Sequence, residues 1–263
     1  MLPETFWGRI QYLLQQYGAS FLSGAGNTMI IAIVGTFLGC LIGFIVGIIQ
    51  TIPVDKRDSA VKKTLVGFLK FIMACYVEFF RGTPMMVQAM FIYYGSAYLF
   101  NINMSMWFAA FFVVSINTGA YMAETVRGGI LSVDEGHTEA AKAIGMTHVQ
   151  TMMNVILPQA LRNIMPQIGN NLIINIKDTC VLSIIGIVEL FYTTKGVAGA
   201  YYTYFESFTI AMVMYFILTF VCSRLLRLLE HKMEGPQNYD LATTDTLAHT
   251  SGLYSYPKKK EEK

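Results

Sequence analysis

Long apolar runs separated by short polar segments dominate the chain. The clearest runs cover residues 28–50, 105–123 and 208–222, the last of them together with its flanks. A helix needs roughly 20 consecutive, mostly apolar residues to cross a bilayer. These runs therefore predict three membrane-spanning helices.

Two further apolar regions are interrupted by polar residues. Residues 65–100 contain three residues that disfavour one uninterrupted apolar helix, namely Glu78, Arg81 and Pro84. We expect an interfacial or tilted helix there, leading into a crossing over residues 85–100. Residues 168–190 carry amides and charges in their first half, which predicts a polar-lined crossing or two half-elements. The whole pattern predicts an all-α polytopic membrane protein with about five transmembrane helices.

Composition and the placement of basic residues fit this interpretation. Hydrophobic residues make up 54% of the 263 positions and charged residues only 14%, whereas ordinary soluble domains are roughly 25% charged. Basic residues concentrate in cytoplasmic loops of membrane proteins. Five crossings with the loop after Gln50 inside place most of the Lys and Arg on the cytoplasmic side. The N-terminus is then outside and the C-terminus cytoplasmic, and no cleaved signal peptide is expected.

The sequence lacks the motifs of the common hydrolytic sites. It contains no GxxxxGK[ST] phosphate loop, no HExxH zinc motif and no GxSxG nucleophile motif. The four cysteines lie apart in apolar runs without metal-ligand spacing, so we expect them to be small buried hydrophobic residues. We therefore expect neither catalysis nor a bound cofactor from this chain.

A polar segment over residues 132–166 predicts a helical elbow between two crossings. Capping boxes are indicated by Ser132 with Glu135 and by Thr147 with Gln150. The spacing predicts a helix over about 133–144, a left-handed residue at its end, and a second helix that a proline limits. A loop that only covers itself would have the same pattern. A DNA-binding helix-turn-helix is disfavoured because acidic residues outnumber basic ones here, so no nucleic-acid partner is expected.

The elbow carries a recognisable spaced motif. Its residues are Glu139, Ala140, Ala141, Gly145, Leu157 and Pro158. With Val155 in place of an isoleucine, this pattern resembles the EAA loop of ABC importer permeases. Four further stretches resemble the permease subunits of bacterial ABC importers for polar amino acids of the histidine, glutamine, glutamate, arginine, cystine or opine type: 77–88, 116–130, 157–173 and 176–190. The resemblance extends over roughly residues 20–230.

The resemblance implies a type I ABC importer permease fold in the bacterial cytoplasmic membrane. Residues 1–232 would form the permease domain, with the coupling loop at 132–166, and residues 233–263 a cytoplasmic tail that is expected to be disordered. Such permeases work with two copies of an ABC ATPase that bind ATP and Mg. The other implied partners are a second permease, identical or homologous, an external substrate-binding protein, the amino acid and membrane lipid.

Polar residues on otherwise apolar helices indicate where a substrate would pass, because charges inside a membrane are rare and usually functional. Asn117, Tyr121 and Glu124 share one face of a predicted helix. On a second predicted helix, one face carries Gln167, Asn171, Asn175 and Asp178. The predicted pathway residues are Gln88, Asn117, Tyr121, Glu124, Asn171, Asn175 and Asp178. Hydrogen bonding between helices is the alternative for Glu124 and Asp178, as it is for Lys177.

Two further expectations concern packing and energy source. The glycines at 35, 39, 43 and 47 form a stripe that allows close helix approach, and we favour packing within the chain over packing on a second permease. The alternative function is a stand-alone secondary transporter or channel driven by an ion gradient. That alternative requires inverted halves, and the sequence shows no convincing internal repeat.

Overall fold

The computed structural model describes residues 2–54 and 59–234, which contain helices and no strand. The helices are α1 (Phe6–Thr51), α2 (Ala60–Gly82), α3 (Met85–Phe100), α4 (Met106–Leu131), α5 (Glu135–Ala143), α6 (His148–Thr151), α7 (Leu157–Asp178), α8 (Leu190–Tyr201) and α9 (Tyr204–Glu234). A π-helical segment, Met152–Ile156, joins α6 to α7, and a 3-10 helix, Thr179–Ile185, follows α7. The predicted tail falls, from residue 235 onward, outside the described residues.

Three helices in the described part of the chain are long and apolar enough to cross a membrane. They are α1, α4 and the Tyr204–Leu229 portion of α9. A fourth span results if the segments His148–Ile185 and Leu190–Tyr201, which meet at 56°, are taken as one broken crossing. The fifth predicted crossing, over residues 85–100, corresponds to α3, and the number five stays a prediction.

The contact between α1 and α4 is the most extensive in the fold, and the glycine stripe creates it. Gly35, Gly39, Gly43 and Gly47 each lie directly against α4, opposite Val114, Thr118, Met122 and Val126 in turn. A Cβ atom added to Gly39 would lie 2.6 Å from Cβ of Thr118. The expectation that the stripe packs within the chain is confirmed.

The cysteines are only partly as expected. Cys40 is buried among α1, α4 and α7, as predicted, and Cys180 and Cys222 are partly buried. Cys75 is exposed, so the prediction is wrong for this residue. The physical reason is that α2 buries only two side chains against the rest of the chain, which leaves most of its faces open. Among the described residues, no group of three or more His, Cys, Asp or Glu side chains could hold a metal ion.

The first elbow helix begins later than predicted. Helix α5 starts at Glu135, and its cap is Asp134, whose Oδ1 accepts a hydrogen bond of 2.7 Å from the Gly136 N–H. The predicted capping box at Ser132 is therefore wrong. Ser132 still belongs to the end of α4, since its N–H donates to the Gly128 carbonyl at 2.9 Å.

The turn and the second helix start agree with the prediction. Gly145 has φ +82°, the left-handed conformation that glycine adopts without strain. The Thr147 N–H donates to Gln150 Oε1 at 2.9 Å, and the Gln150 N–H donates to Thr147 Oγ1 at 3.3 Å, so this capping box is confirmed.

Pro158 does not limit the helix, which corrects the sequence-based expectation. Helix α7 begins at Leu157 and contains Pro158 in its first turn, where a missing N–H is tolerated. The preceding π-helical turn, in which the Leu157 N–H donates to the Met152 carbonyl, widens the backbone just before the proline. The chain therefore runs on from α6 into α7.

Candidate translocation cavity and coupling loop

A cavity of about 500 Å³ lies where the break between α2 and α3 faces α4 and α7. Five of the seven predicted pathway residues line it: Asn117, Tyr121, Asn171, Asn175 and Asp178. The two polar stripes that the sequence places on separate helices thus face one space. The opposite wall consists of residues 81–85, which end α2 and begin α3.

Opposite charges border the cavity. Its lining residues include the basic Arg81 and the acidic Asp178. Arg81 lies over the ring of Tyr121, with 5.6 Å between its Cζ and the ring centroid. An Nη1 atom of Arg81 is 3.8 Å from Oε2 of Glu124. A ligand in this cavity would meet a cation, an anion and an aromatic face.

Glu124 does not line the cavity, but its carboxylate forms ion pairs with two arginine side chains beside it. Its Oε2 lies 3.3 Å from Nη2 of Arg127 in addition to its contact with Arg81. Arg127 is three residues after Glu124 on the same helix. Arg81 comes from the end of α2 and is directed toward α4. For Glu124 the contact with Arg81 on α2 favours the alternative of bonding between helices.

Buried amides join the helices at the floor of the cavity. Asn175 Nδ2 donates to Thr36 Oγ1 at 2.7 Å and to Thr118 Oγ1 at 2.9 Å, which links α7 to α1 and α4. Asn171 Nδ2 donates to the Gln167 carbonyl at 3.0 Å. Because these donors already have partners, the two asparagines shape the cavity at least as much as they offer free groups to a ligand.

Gln88 lies outside the cavity lining, although the sequence pattern also placed it on the path. Its side chain is 4% exposed and is buried beneath the break between α2 and α3. Its amide nitrogen donates to the carbonyls of Phe80 and Thr83, each at 2.9 Å. The proximity of Pro84 made Gln88 look like a pathway residue, whereas the structure turns its side chain toward the break.

The elbow over residues 132–166 presents its spaced motif mostly at the surface. Glu139, Ala140, Gly145 and Pro158 are exposed, Leu157 is half-buried, and Ala141 is buried. Around them, large apolar side chains project outward, with Ile144 78% and Val149 68% exposed. Exposed apolar side chains that cluster in this way mark an interaction surface.

Sequence reasoning missed two buried carboxylates. Glu189 is completely buried and caps α8, where it accepts hydrogen bonds from the N–H groups of Phe191 and Tyr192 and from the Tyr215 hydroxyl at 2.9 Å. Glu206 is 7% exposed and pairs with Arg9 at 3.0 Å, which ties the start of α1 to α9. The signal for Glu189 was a single acidic residue at the end of an apolar run.

A family model described as "Binding-protein-dependent transport system inner membrane component" matches residues 59–235. The chain belongs to this family. It is thus a permease subunit of an ABC importer and a multi-pass membrane protein, and its homologues are permease subunits rather than enzymes.

Two glutamine transport permeases resemble this permease over most of their length. The glutamine transport system permease protein GlnP of Escherichia coli (strain K12) is 35% identical over 215 residues, which are 81% of this chain and 92% of the relative. The putative glutamine transport system permease protein GlnP of Rickettsia conorii (strain ATCC VR-613 / Malish 7) is 32% identical over 225 residues, covering 85% of this chain and 98% of the relative.

Solved structures share the fold of this permease. An amino acid ABC transporter crystallised with histidines matches with a TM-score of 0.72 and 34% identity, covering 83% of this chain and 96% of the other. An inward-facing MetNI methionine ABC transporter matches with a TM-score of 0.68 and 20% identity over 83% of this chain and 98% of the other, and indicates the fold alone. The predicted all-α type I ABC permease fold is confirmed.

Proposed function

We propose that this permease imports a polar amino acid through the cavity between the α2–α3 break, α4 and α7. The observation that carries the proposal is the convergence of two polar stripes and a broken helix on one space of about 500 Å³. Polar groups on otherwise apolar membrane helices mark a substrate path. The names of the relatives, which specify glutamine transport, support an amino acid as the substrate.

The charges of the cavity suit an amino acid in its zwitterionic form. The Arg81 guanidinium is a partner for the α-carboxylate and the Asp178 carboxylate for the α-ammonium group. Asn117 and Asn171, together with the Tyr121 hydroxyl, border the remaining space and suit a polar side chain. A cavity that holds both charges disfavours anions and cations that lack the complementary group.

Transport kinetics in proteoliposomes test this proposal. With the substrate-binding protein and the ATPase present, Asp178→Asn is expected to raise KM for glutamine at least about tenfold, because a charge-assisted contact is lost. Lys177→Gln is the matched control, since Lys177 is exposed on the same helix and does not line the cavity. An unchanged KM in Asp178→Asn would remove this residue from the path.

Coupling to ATP hydrolysis through the elbow is the second part of the proposal. Two ATPase subunits, which bind ATP and Mg, would take part. One would bind the exposed surface around Gly145 on this permease, and the other would bind the same surface on a second, identical or homologous permease. Their closure would switch the path between inward-facing and outward-facing forms. An external binding protein would deliver the substrate at the face that carries the N-terminus, and the elbow and C-terminus would lie in the cytoplasm of a bacterial cell.

Variants at Gly145 test the docking. Because this residue has φ +82° and open space around it, Gly145→Asn is tolerated by the left-handed conformation whereas Gly145→Val is strained. We expect Gly145→Val to insert in the membrane but to lose the co-purifying ATPase, and Gly145→Asn to keep it. Full ATPase recovery with Gly145→Val would contradict the coupling role, and uptake that persists after ATP depletion would favour a gradient-driven transporter.

A further inference from the structure

We infer that Gln88 and Asn117 are positioning residues, which together replace the hydrogen-bond donor that Pro84 lacks and thereby hold the α2–α3 break as a wall of the cavity. The inference rests on the proposed function, because it gives the break a role in substrate transport. Neither residue is required to touch the substrate for this role.

The break leaves backbone carbonyls without the donors that a continuous helix would supply. Pro84 has no N–H, so the Phe80 carbonyl, four residues earlier, loses the donor that a continuous helix would provide. Thr83 is extended, with φ −120° and ψ 145°, so α2 ends there and α3 begins at Met85. Membrane-embedded backbone of this kind persists only where other groups satisfy it.

Two side-chain amides supply the missing donors. Gln88 Nε2 donates to the Phe80 carbonyl and the Thr83 carbonyl, each at 2.9 Å, and lies 2.8 Å from Thr83 Oγ1. Asn117 Nδ2, from α4, donates to the same Phe80 carbonyl at 3.2 Å and to Gln88 Oε1 at 3.0 Å. Since the partners of both nitrogens include carbonyl oxygens, the amide orientations are fixed by the bonding pattern.

The hydrogen bonds of Gln88 and Asn117 to the break hold residues that line the cavity. All five residues from 81 to 85 line the cavity, and Arg81 is among them. Gln88 is buried and does not line it, so a change at Gln88 reaches the cavity only indirectly, through the break and through its hydrogen bond with Asn117. The bonded atoms of Gln88 are polar ones directed at backbone and at Asn117, so a side chain of similar size without donors would fill the same volume and leave the break unsupported.

The conformation of the break is measured directly with spin labels. Phe71 on α2 and Phe91 on α3 are both exposed and suit labelling in a background without the four native cysteines. In the complete transporter complex, Gln88→Met is expected to lengthen or broaden the distance distribution between these labels, because the Phe80 and Thr83 carbonyls lose the side-chain donor that holds the break in one conformation. Gln88→Glu is expected to behave in the same way, since a carboxylate cannot donate to carbonyls.

A rescue variant separates the hydrogen-bonding role from simple packing. Pro84→Ala restores an N–H for the Phe80 carbonyl, so Gln88→Met is expected to change the label distances less in the Pro84→Ala background than in the wild type. Asn117→Ala and Gln88→Met are expected to be non-additive, because they break one shared network.

Transport supplies the functional readout. With glutamine as probe, Gln88→Met is expected to raise KM about tenfold while ATPase binding is retained. Wild-type label distances in Gln88→Met would overturn the inference, and so would a loss of thermal stability without a change in distance. A wild-type complex that fails to transport glutamine or other polar amino acids would instead refute the proposed function, while the distance measurements would still decide the role of Gln88.

Discussion

The close contact between α1 and α4 allows the effect of a substitution on stability to be predicted from interatomic distances. In Gly39→Ala the new Cβ would lie 2.6 Å from Cβ and 2.8 Å from Cγ2 of Thr118, and 3.0 Å from the Ser115 carbonyl oxygen. Carbon atoms need roughly 3.5–4.0 Å, so the helices must separate by about 1 Å. No rotation of the Thr118 side chain relieves this contact, because Cβ is fixed by the backbone.

The size of the effect follows from two opposing contributions. Alanine favours the helix by about 1 kcal/mol relative to glycine. Overpacking costs about 1–3 kcal/mol, and separating the helices also strains the bonds that Asn175 makes to Thr36 and Thr118. We expect a net destabilisation of about 2 kcal/mol.

Thermal unfolding of the purified permease is the assay. A loss of this size is expected to lower Tm by about 4–8 °C for a chain of this length. Gly26→Ala is the matched control, since Gly26 lies on the same helix and an added Cβ would have no atom within 4 Å. Its Tm is expected to equal or exceed that of the wild type. If Gly39→Ala and Gly26→Ala unfold at the same temperature, the close approach of α1 and α4 does not exclude a side chain at position 39.

Three further predictions concern buried polar groups. Asn175→Leu leaves two threonine hydroxyls without their partner and is expected to cost about 1–3 kcal/mol, seen as a lower Tm, whereas Asn170→Leu, at an exposed position, should be nearly neutral. Arg9→Met leaves the Glu206 carboxylate buried and unpaired, so a thermal double-mutant cycle should show that Glu206→Gln recovers part of its loss. Glu189→Ala removes the cap of α8 and should speed amide hydrogen exchange in that helix, without the same effect in α4.

Short-range sequence patterns correctly predicted the features of the elbow that depend only on neighbouring residues. The turn at Gly145 and the helix start at Thr147 depend only on residues a few positions apart, and both agree with the structure. The capping box at Ser132 was wrong because the preceding helix continues to Leu131 and already uses the Ser132 N–H. Ser132 could end α4 or begin α5, and the structure makes it the C-terminal cap of α4.

Contacts between distant residues could not be read from the chain. Glu206 pairs with Arg9 across 197 positions, and Asn175 bonds Thr36 across 139. The pattern marked Asn175 as polar within an apolar helix, and nothing in the sequence identified its partners. The sequence shows that Gln88 follows Pro84, but its burial beneath the break decides what its amide can reach.

The sequence by itself determined the helical membrane architecture, the elbow and the absence of a nucleotide-binding motif. It could do so because a helix in a bilayer satisfies its own backbone, so length, apolarity and spacing suffice to predict it. Only the tertiary structure decided which polar side chains share a cavity, which bond one another and which support a broken helix. Those outcomes depend on how helices pack, and packing brings together residues whose separation along the chain carries no signal.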